Sequence, residues 1–480
     1  MKSNSKASSA SELAGRIATR LGRLGVRVDD AGRVGLGQLR REAGKSVAKY
    51  AHLAHEETWT EATAAGPATV TAKVWTRAIQ AALDENKTVF IPGAHRPYYI
   101  DGPLVIRSGQ RLVADAAARL RLKPGTNTCM IRNANQIEGQ QGPVTLGNPD
   151  TDIIIAGGIW TTLAVGRREW NGNVFGGPDQ ANSLHGHGVV LLNNVRGVVV
   201  RDLVIRECRP HGVQISNAAE FVVDNIRFER HGRDGIHING PAQGGIIRGI
   251  RGVTYDDMIA LNAWDWKNTC MTFGPIRDMV VEDVHAGGPD SDYRAHIRLL
   301  GGTKHFPDGG RINCDIENIV VRNVSGVETF KMYDQPNLEL GGHVDYADPI
   351  GDFRNLWFGD ITLESPSEAA FQIASNVDGL HIEDVRLIGP RGAAPKLVQI
   401  GPMSATYKAG SSDTSKWVEV FSPDKDCTVR GFSLTGVSVD GVSRPNTREF
   451  IAVLAQTPNP DYPNTTPRGG RGKGILITAD

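Results

Sequence analysis

Val213-Gln214-Ile215-Ser216, Ile236-His237-Ile238-Asn239 and Ile259-Ala260-Leu261-Asn262 are three versions of one short segment, set 23 residues apart. Val190-Leu191-Leu192-Asn193 extends the series upstream. A second series is interleaved with it: Val198-Val199-Val200-Arg201-Asp202, Phe221-Val222-Val223-Asp224-Asn225, Gly245-Ile246-Ile247-Arg248-Gly249, Met279-Val280-Val281-Glu282-Asp283, Ile319-Val320-Val321-Arg322-Asn323 and Leu380-His381-Ile382-Glu383-Asp384. Early intervals are 22 to 24 residues and later ones lengthen, as expected where loops are inserted between similar units. Short β-rich runs at this period, without helix between them, mark a parallel β-helix solenoid, in which coils that cannot bury their apolar residues alone share one core. Leucine-rich repeats have a similar period, but their Leu consensus is missing, and a sandwich would not hold the spacing over successive units. Asn and Asp at the ends of the runs suit tight corners.

Outward from the repeats, the chain reads in three parts: a helical N-terminal extension over residues 1–70, the β-helix over 71–445, and a C-terminal extension over 446–480 packed on or trailing the solenoid. Residues 72–85 place Val74, Trp75, Ala78, Ile79 and Ala82 on one helical face and lead into the strand Val89-Phe90-Ile91. An N-terminal helix is expected to cap the open end, where strand edges would otherwise stay unpaired. The insertions, 301–311, 333–352 and 401–426, are expected to leave one side of the solenoid and wall a cleft.

The 480 residues carry 53 Lys+Arg and 53 Asp+Glu, a net charge of zero that gives no electrostatic case for nucleic acid or an anionic membrane as partner. No apolar run approaches the roughly 18 residues of a membrane span. Five scattered cysteines argue against a disulfide framework or a zinc ribbon. The first twenty residues hold no continuous apolar stretch, so no secretory signal is visible. The location is extracellular if a signal was removed and cytoplasmic otherwise; the oligomeric state is not legible.

If Ile236 and Ile238 point inward, His237 points out. The same alternation gives an outward column of Gln214, His237, Ala260, Arg298, Lys331 and Gln372. His211, Asp234 and Asp257 fall along one coil edge, with Asp256 beside them. Neighbouring coils lie about 4.8 Å apart, so these carboxylates can meet. Carboxylates held close push one another's pKa values apart, so one can keep a proton while another stays ionised. That is the equipment for protonating a leaving oxygen and activating a water at a glycosidic bond. His237, Arg298, Lys331, His296 and His211 are expected to bind substrate, and Trp264 and Trp266, in the stretch after the acidic strand, to stack on sugar rings.

These residues resemble the polygalacturonase-type glycoside hydrolases, family 28, of the pectin-lyase-like superfamily of right-handed parallel β-helices. Gly232-Arg233-Asp234-Gly235 resembles the family's Asn-Thr-Asp-Gly, and Tyr255-Asp256-Asp257-Met258-Ile259-Ala260 its Gly-Asp-Asp followed by apolar residues, one coil later. No Gly-His-Gly follows, and His296-Ile297-Arg298-Leu299-Leu300 keeps the Arg of the family's Arg-Ile-Lys but not the Lys; Lys331 is a substitute in the same column. The resemblance covers residues 70–445. It implies an all-β fold, a carbohydrate substrate, no cofactor, Asp256 as general acid, Asp234 and Asp257 as activators of water, and inversion at the anomeric carbon. Two alternatives remain open: a lyase or epimerase using Arg298 or Lys331 with aspartate-bound Ca²⁺, and a non-catalytic carbohydrate-binding β-helix.

Overall fold

The computed structural model describes residues 9–29, 33–36, 44–63, 65–126, 128–137, 144–162, 188–208, 210–263, 272–288, 295–305, 310–333, 352–366, 369–389, 396–400, 403–406, 419–420, 429–453, 457–458 and 477–479. The repeats form the coils of a parallel β-helix with three faces. On the first face, Leu104–Ile106 and Ile131–Asn133 are followed by the starts of Gly188–Arg201, His211–His231 and Ile236–Thr254. Ile259–Asn262, His296–Leu300, Thr329–Tyr333, Phe371–Ala374, Val398–Ile400 and Ile451–Val453 then continue the ladder. The second face stacks 198–201, 221–224, 245–248, 279–282, 319–322, 356–359 and 380–383. The third stacks 204–206, 227–229, 250–252, 284–286 and their successors. Long strands such as His211–His231 bend through the corners and serve every face in turn.

Alternation supplies the core. Ile215, Ile238, Leu261, Leu299, Met332 and Ile373 of the first face are fully buried, as are Val223, Ile247, Val281 and Val321 of the second. Late coils are filled by aromatics: Phe330 stacks on Phe371 at 4.6 Å, and Phe358 meets both edge-on. Cys129 and Cys208 are buried in the packing, and burial pushes both thiols up to about 12, where they stay protonated.

The Asn and Asp that end each run are the corners. Asp202, Asn225, Asp283, Asn323, Asp360 and Asp384 take left-handed backbone angles at the turn from second to third face, with φ between 52° and 60°. Asn and Asp enter that region at lower cost than other side-chain-bearing residues. Their side chains also bond along the stack, Asn225 donating to Asp202 at 2.7 Å and Asn323 to Asp283 at 2.6 Å.

The N-terminal region differs from the helical extension read from the sequence. Helix α1 (Ala10–Arg20), opened by a Ser9–Glu12 capping box, does not sit at the end of the solenoid. It lies along the flank: Leu13, Ala14, Ile17, Ala18 and Leu21 cover the outward side chains Val199, Val222, Ile246, Val280 and Val320 of the second face. The reason lies in runs such as Val198-Val199-Val200, which are apolar on both faces and so need cover on both. Arg20 fixes the helix to Asp278 at 3.0 Å. Capping falls to helix α2 (Thr76–Glu85), whose Ala78, Ile79, Ala82 and Leu83 join the core beside the first coil. Between the helices, His55–Thr63 and Gly66–Val74 form an antiparallel hairpin laid on the third face, with Trp59 edge-on to Tyr99 and Lys123 paired to Glu57.

The solenoid also overruns the bounds read from the sequence. Lys45–Ser46 already pairs with the strand Thr88–Ile91, while Ile451–Val453 and Ile477–Ala479 add strands after residue 445. Of the insertions read from the sequence, 301–311 opens a hairpin in which Gly302–His305 runs antiparallel to Arg311–Cys314, while 334–351, 407–418 and 421–428 lie outside the described residues. No described helix is long and apolar enough to cross a membrane.

Candidate active site

Strand register assembles the site on the first face. Pairing of Val213 with Ile236 and of Ile236 with Ile259 puts His211, Asp234 and Asp257 in one column at the entry of successive strands. The outward column read from the sequence is present: Gln214, His237, Ala260, Arg298, Lys331 and Gln372 are partners in turn. Asp234, Asp256 and Asp257 each bring one carboxylate oxygen within 4.8 Å of the others. Asp234 and Asp257 are almost enclosed, whereas the Asp256 side chain remains 36% exposed, so it is the member open to a large substrate.

The three carboxyls have different surroundings. Burial alone would raise Asp234, but a 2.6 Å hydrogen bond from His237 Nδ1 and the nearby His211 and Arg233 hold it well below the usual carboxylate range. Its Oδ1 also accepts from the Asp257 backbone at 3.3 Å. Asp257 is pushed up to about 7 by burial, against the pull of Arg298, whose Nε lies 2.8 Å from Oδ2, and with the push of Asp234 and Asp256. Asp256 is raised by burial and by Asp234, opposed by Arg233, Arg298 and Lys331. One carboxylate is therefore fixed as an anion and two neighbours compete to hold a proton.

A network absent from the sequence reading holds Asp234. Asn239 Nδ2 donates to His237 Nε2 at 3.1 Å, which places the His237 proton on Nδ1, facing Asp234. Gln214 Nε2 donates to Asn239 Oδ1 at 2.7 Å, and its Oε1 faces His211 Nδ1 at 3.3 Å. His211 Nε2 returns to Asp234 Oδ2 at 3.8 Å, closing a ring of buried side chains. His231 supports the Asp234 carbonyl at 2.9 Å, and burial pushes its ring down to about 4, so it is neutral. Asn239 was discoverable, since the alternation that turns His237 outward turns Asn239 outward too; the His231 contact was not. Glu328 is a further missed carboxylate, two coils beyond Asp257 in the same column.

Of the other expected residues, His237 and Arg298 are engaged first with Asp234 and Asp257. Lys331 adds positive charge near Asp256 and Asp257. His296 Nδ1 is bonded to Thr329 at 2.7 Å, on the coil that carries Lys331. Trp264 and Trp266 lie outside the described residues. Arg233, Arg298, Lys331 and two histidines surround the trio. Asp234, Asp256 and Asp257, and likewise His211, Asp234 and His237, bring ligand atoms within 4.8 Å of one another, so either set could hold an ion; the two imidazole rings are parallel and 3.9 Å apart.

Comparison with solved structures decides the fold. A hyperthermoactive exopolygalacturonase from Thermotoga maritima aligns with a TM-score of 0.51 at 12% identity, over 90% of this chain and 97% of that one. This chain has the parallel β-helix fold. The family 28 exopolygalacturonase of Yersinia enterocolitica aligns at TM-score 0.42 and 13% identity, over 90% of this chain and 88% of that one. The surface adhesin PfbA of Streptococcus pneumoniae gives 0.43 and 10%, over 91% and 100%. No family model matches the chain, and no curated protein does. At such identities the likeness concerns the scaffold alone.

Proposed function

We propose that this β-helix is a glycoside hydrolase acting on a poly- or oligosaccharide through Asp234, Asp256 and Asp257. The observation that carries the reading is the division of labour among the three carboxyls: one clamped as an anion, two raised. Asp256, half-buried and raised, is the general acid that protonates the leaving oxygen. Asp234 and Asp257 orient and deprotonate the attacking water. Asp257 Oδ1 is buried with no hydrogen-bond partner among the described residues, and so has an acceptor site for that water. Arg298 and Lys331 stabilise charge on the substrate side. Arg298, paired to Asp257, is poorly suited to be the base of a lyase.

The test is a polysaccharide panel, with and without chelator, followed by reducing ends and by absorbance of unsaturated sugars, with Asp256→Asn alongside. Chelator-insensitive reducing ends without absorbance, lost in the variant, support the proposal; metal-dependent absorbance replaces it with a lyase. The anomer formed first is the second readout. Inversion is proposed. The carboxyl oxygens approach within 4.8 Å, closer than the roughly 6.5–9.5 Å usual between acid and base of inverting enzymes. A retained anomer would recast a carboxylate as the nucleophile.

A further inference from the structure

The third face carries a groove of about 1120 Å³ that the acid trio does not use. Its charged lining is Arg206, Arg227, Arg230 and Arg251 against Glu207 and Glu229, with His285 farther along and Tyr255 at one rim. Glu229 is shared by Arg206 at 2.5 Å and Arg227 at 3.2 Å, and Arg230 is paired with Glu207. Arg251 donates to a neutral amide, Asn225 Oδ1, at 3.0 Å. Four guanidiniums thus face two carboxylates, in a protein whose overall charge is zero.

Register sharpens the imbalance. Arg227, Arg251 and His285 are direct partners on adjacent strands of the third face. Like charges directly opposite one another destabilise a sheet. Elsewhere on the outer surface, neighbouring coils set opposite charges together: Arg322 with Glu282 and Arg277 with Glu317. A second like-charged pair, Arg298 with Lys331, falls at the acid trio; the Arg227–Arg251 pair falls in the groove. An anionic ligand laid across the strands would relieve the repulsion, and guanidiniums are the side chains best shaped for carboxylate or sulfate groups.

We propose that this groove binds the anionic substituents, carboxylate or sulfate, of a glycan held on the third face. The inference rests on the glycan reading of the neighbouring site through position: Tyr255 lines the groove and Asp256 is the next residue, so a chain bound here runs up to the general acid.

The test is binding, kept separate from turnover. Titration of the full chain with a uronate oligomer, a sulfated oligomer, a neutral dextran oligomer and a short DNA duplex gives the ligand class. Arg227→Gln/Arg251→Gln, both exposed, should weaken the anionic oligomer about tenfold or more, leave the melting temperature unchanged or raised, and leave the neutral oligomer unaffected. Glu229→Gln, which removes the shared carboxylate, should tighten it several-fold at low salt and less at high salt. Uronate and sulfate arms tell the two substituents apart. No preference for anionic over neutral oligomers, or binding indifferent to both variants, overturns the proposal, as does tighter binding of the duplex than of either oligomer. Asp256→Asn should retain oligomer binding while losing hydrolysis, so a failed hydrolase reading is told from a failed groove.

Discussion

His211 and His237 lie face to face on successive coils, ring centroids 3.9 Å apart and planes 5° from parallel, both turned toward Asp234. The stack gives one carboxylate two imidazoles, and Gln214 and Asn239 fix how those rings present their protons. His237→Leu should therefore misplace Asp234 and free it to take a proton. Misplacement of this kind costs on the order of 100-fold in rate, and the acid limb of the pH–rate profile should move toward neutrality. An unchanged profile with reduced stability would show the pair to be packing only.

The same residue fixes a stability trend. The Asp234 carboxyl is depressed in the folded chain, so its contribution is present above the unfolded value of about 3.9 and is lost as pH falls through the folded value. In His237→Leu the folded value rises, so the contribution is smaller at neutral pH and less of it is left to lose in acid. Thermal melts between pH 3 and 6 would show the variant less stable than wild type at pH 6 and the two converging as the pH falls.

Asp257 has the opposite sign. Its carboxyl is pushed up to about 7, so the stability it contributes is present below the unfolded value of about 3.9 and falls away as pH rises toward 7. Arg298→Gln removes the cation that opposes the rise. The acid limb of kcat/KM should shift alkaline, with the protein less stable at pH 8 than at pH 5 by a wider margin than wild type. Identical pH profiles would place the working proton elsewhere.

Asp256→Asn should lower hydrolysis by roughly 10²–10⁴-fold, the range for loss of a general acid. Removal of one of three crowded carboxyls should leave the melting temperature unchanged or higher. A variant that retains activity assigns the acid to another group.

Ile17→Ala tests the flank helix. Ile17 is 2% exposed and meets an otherwise bare apolar stripe on the second face, so truncation should cost about 2–5 kcal/mol and promote aggregation. A loss below 1 kcal/mol in denaturant titration would mean that α1 is not needed to cover the sheet.

Much of this was legible in the residues. The strict interval between Ile236-His237-Ile238-Asn239 and Ile259-Ala260-Leu261-Asn262 carries the coil, and the alternation within it carries the outward column, because a strand has only two sides. The position of Asp234 over Asp257 follows from the same arithmetic. The partners of those aspartates did not follow. His237 reads as a substrate ligand until distances show it spent on Asp234, and Arg298 until it is seen against Asp257. The place of α1 was hidden because an amphipathic helix declares that it needs a surface and not which one; the double-sided apolar run Val198-Val199-Val200 was the overlooked signal. The hairpin His55–Thr63 with Gly66–Val74 was lost beneath residues such as Glu and Ala that serve helices equally well.

The column that stacks Asp234 on Asp257 has a consequence for how such a site can change. Separations along it are quantised: the gap between two acids, or between an acid and Arg298, is a whole number of coil pitches of about 4.8 Å. Arg298 already stands on the coil next to Asp257, so a coil duplicated after Ala263 would carry Arg298 and Lys331 one full step away. Substrate contacts and the proton on Asp257 would then change together, in a discrete jump.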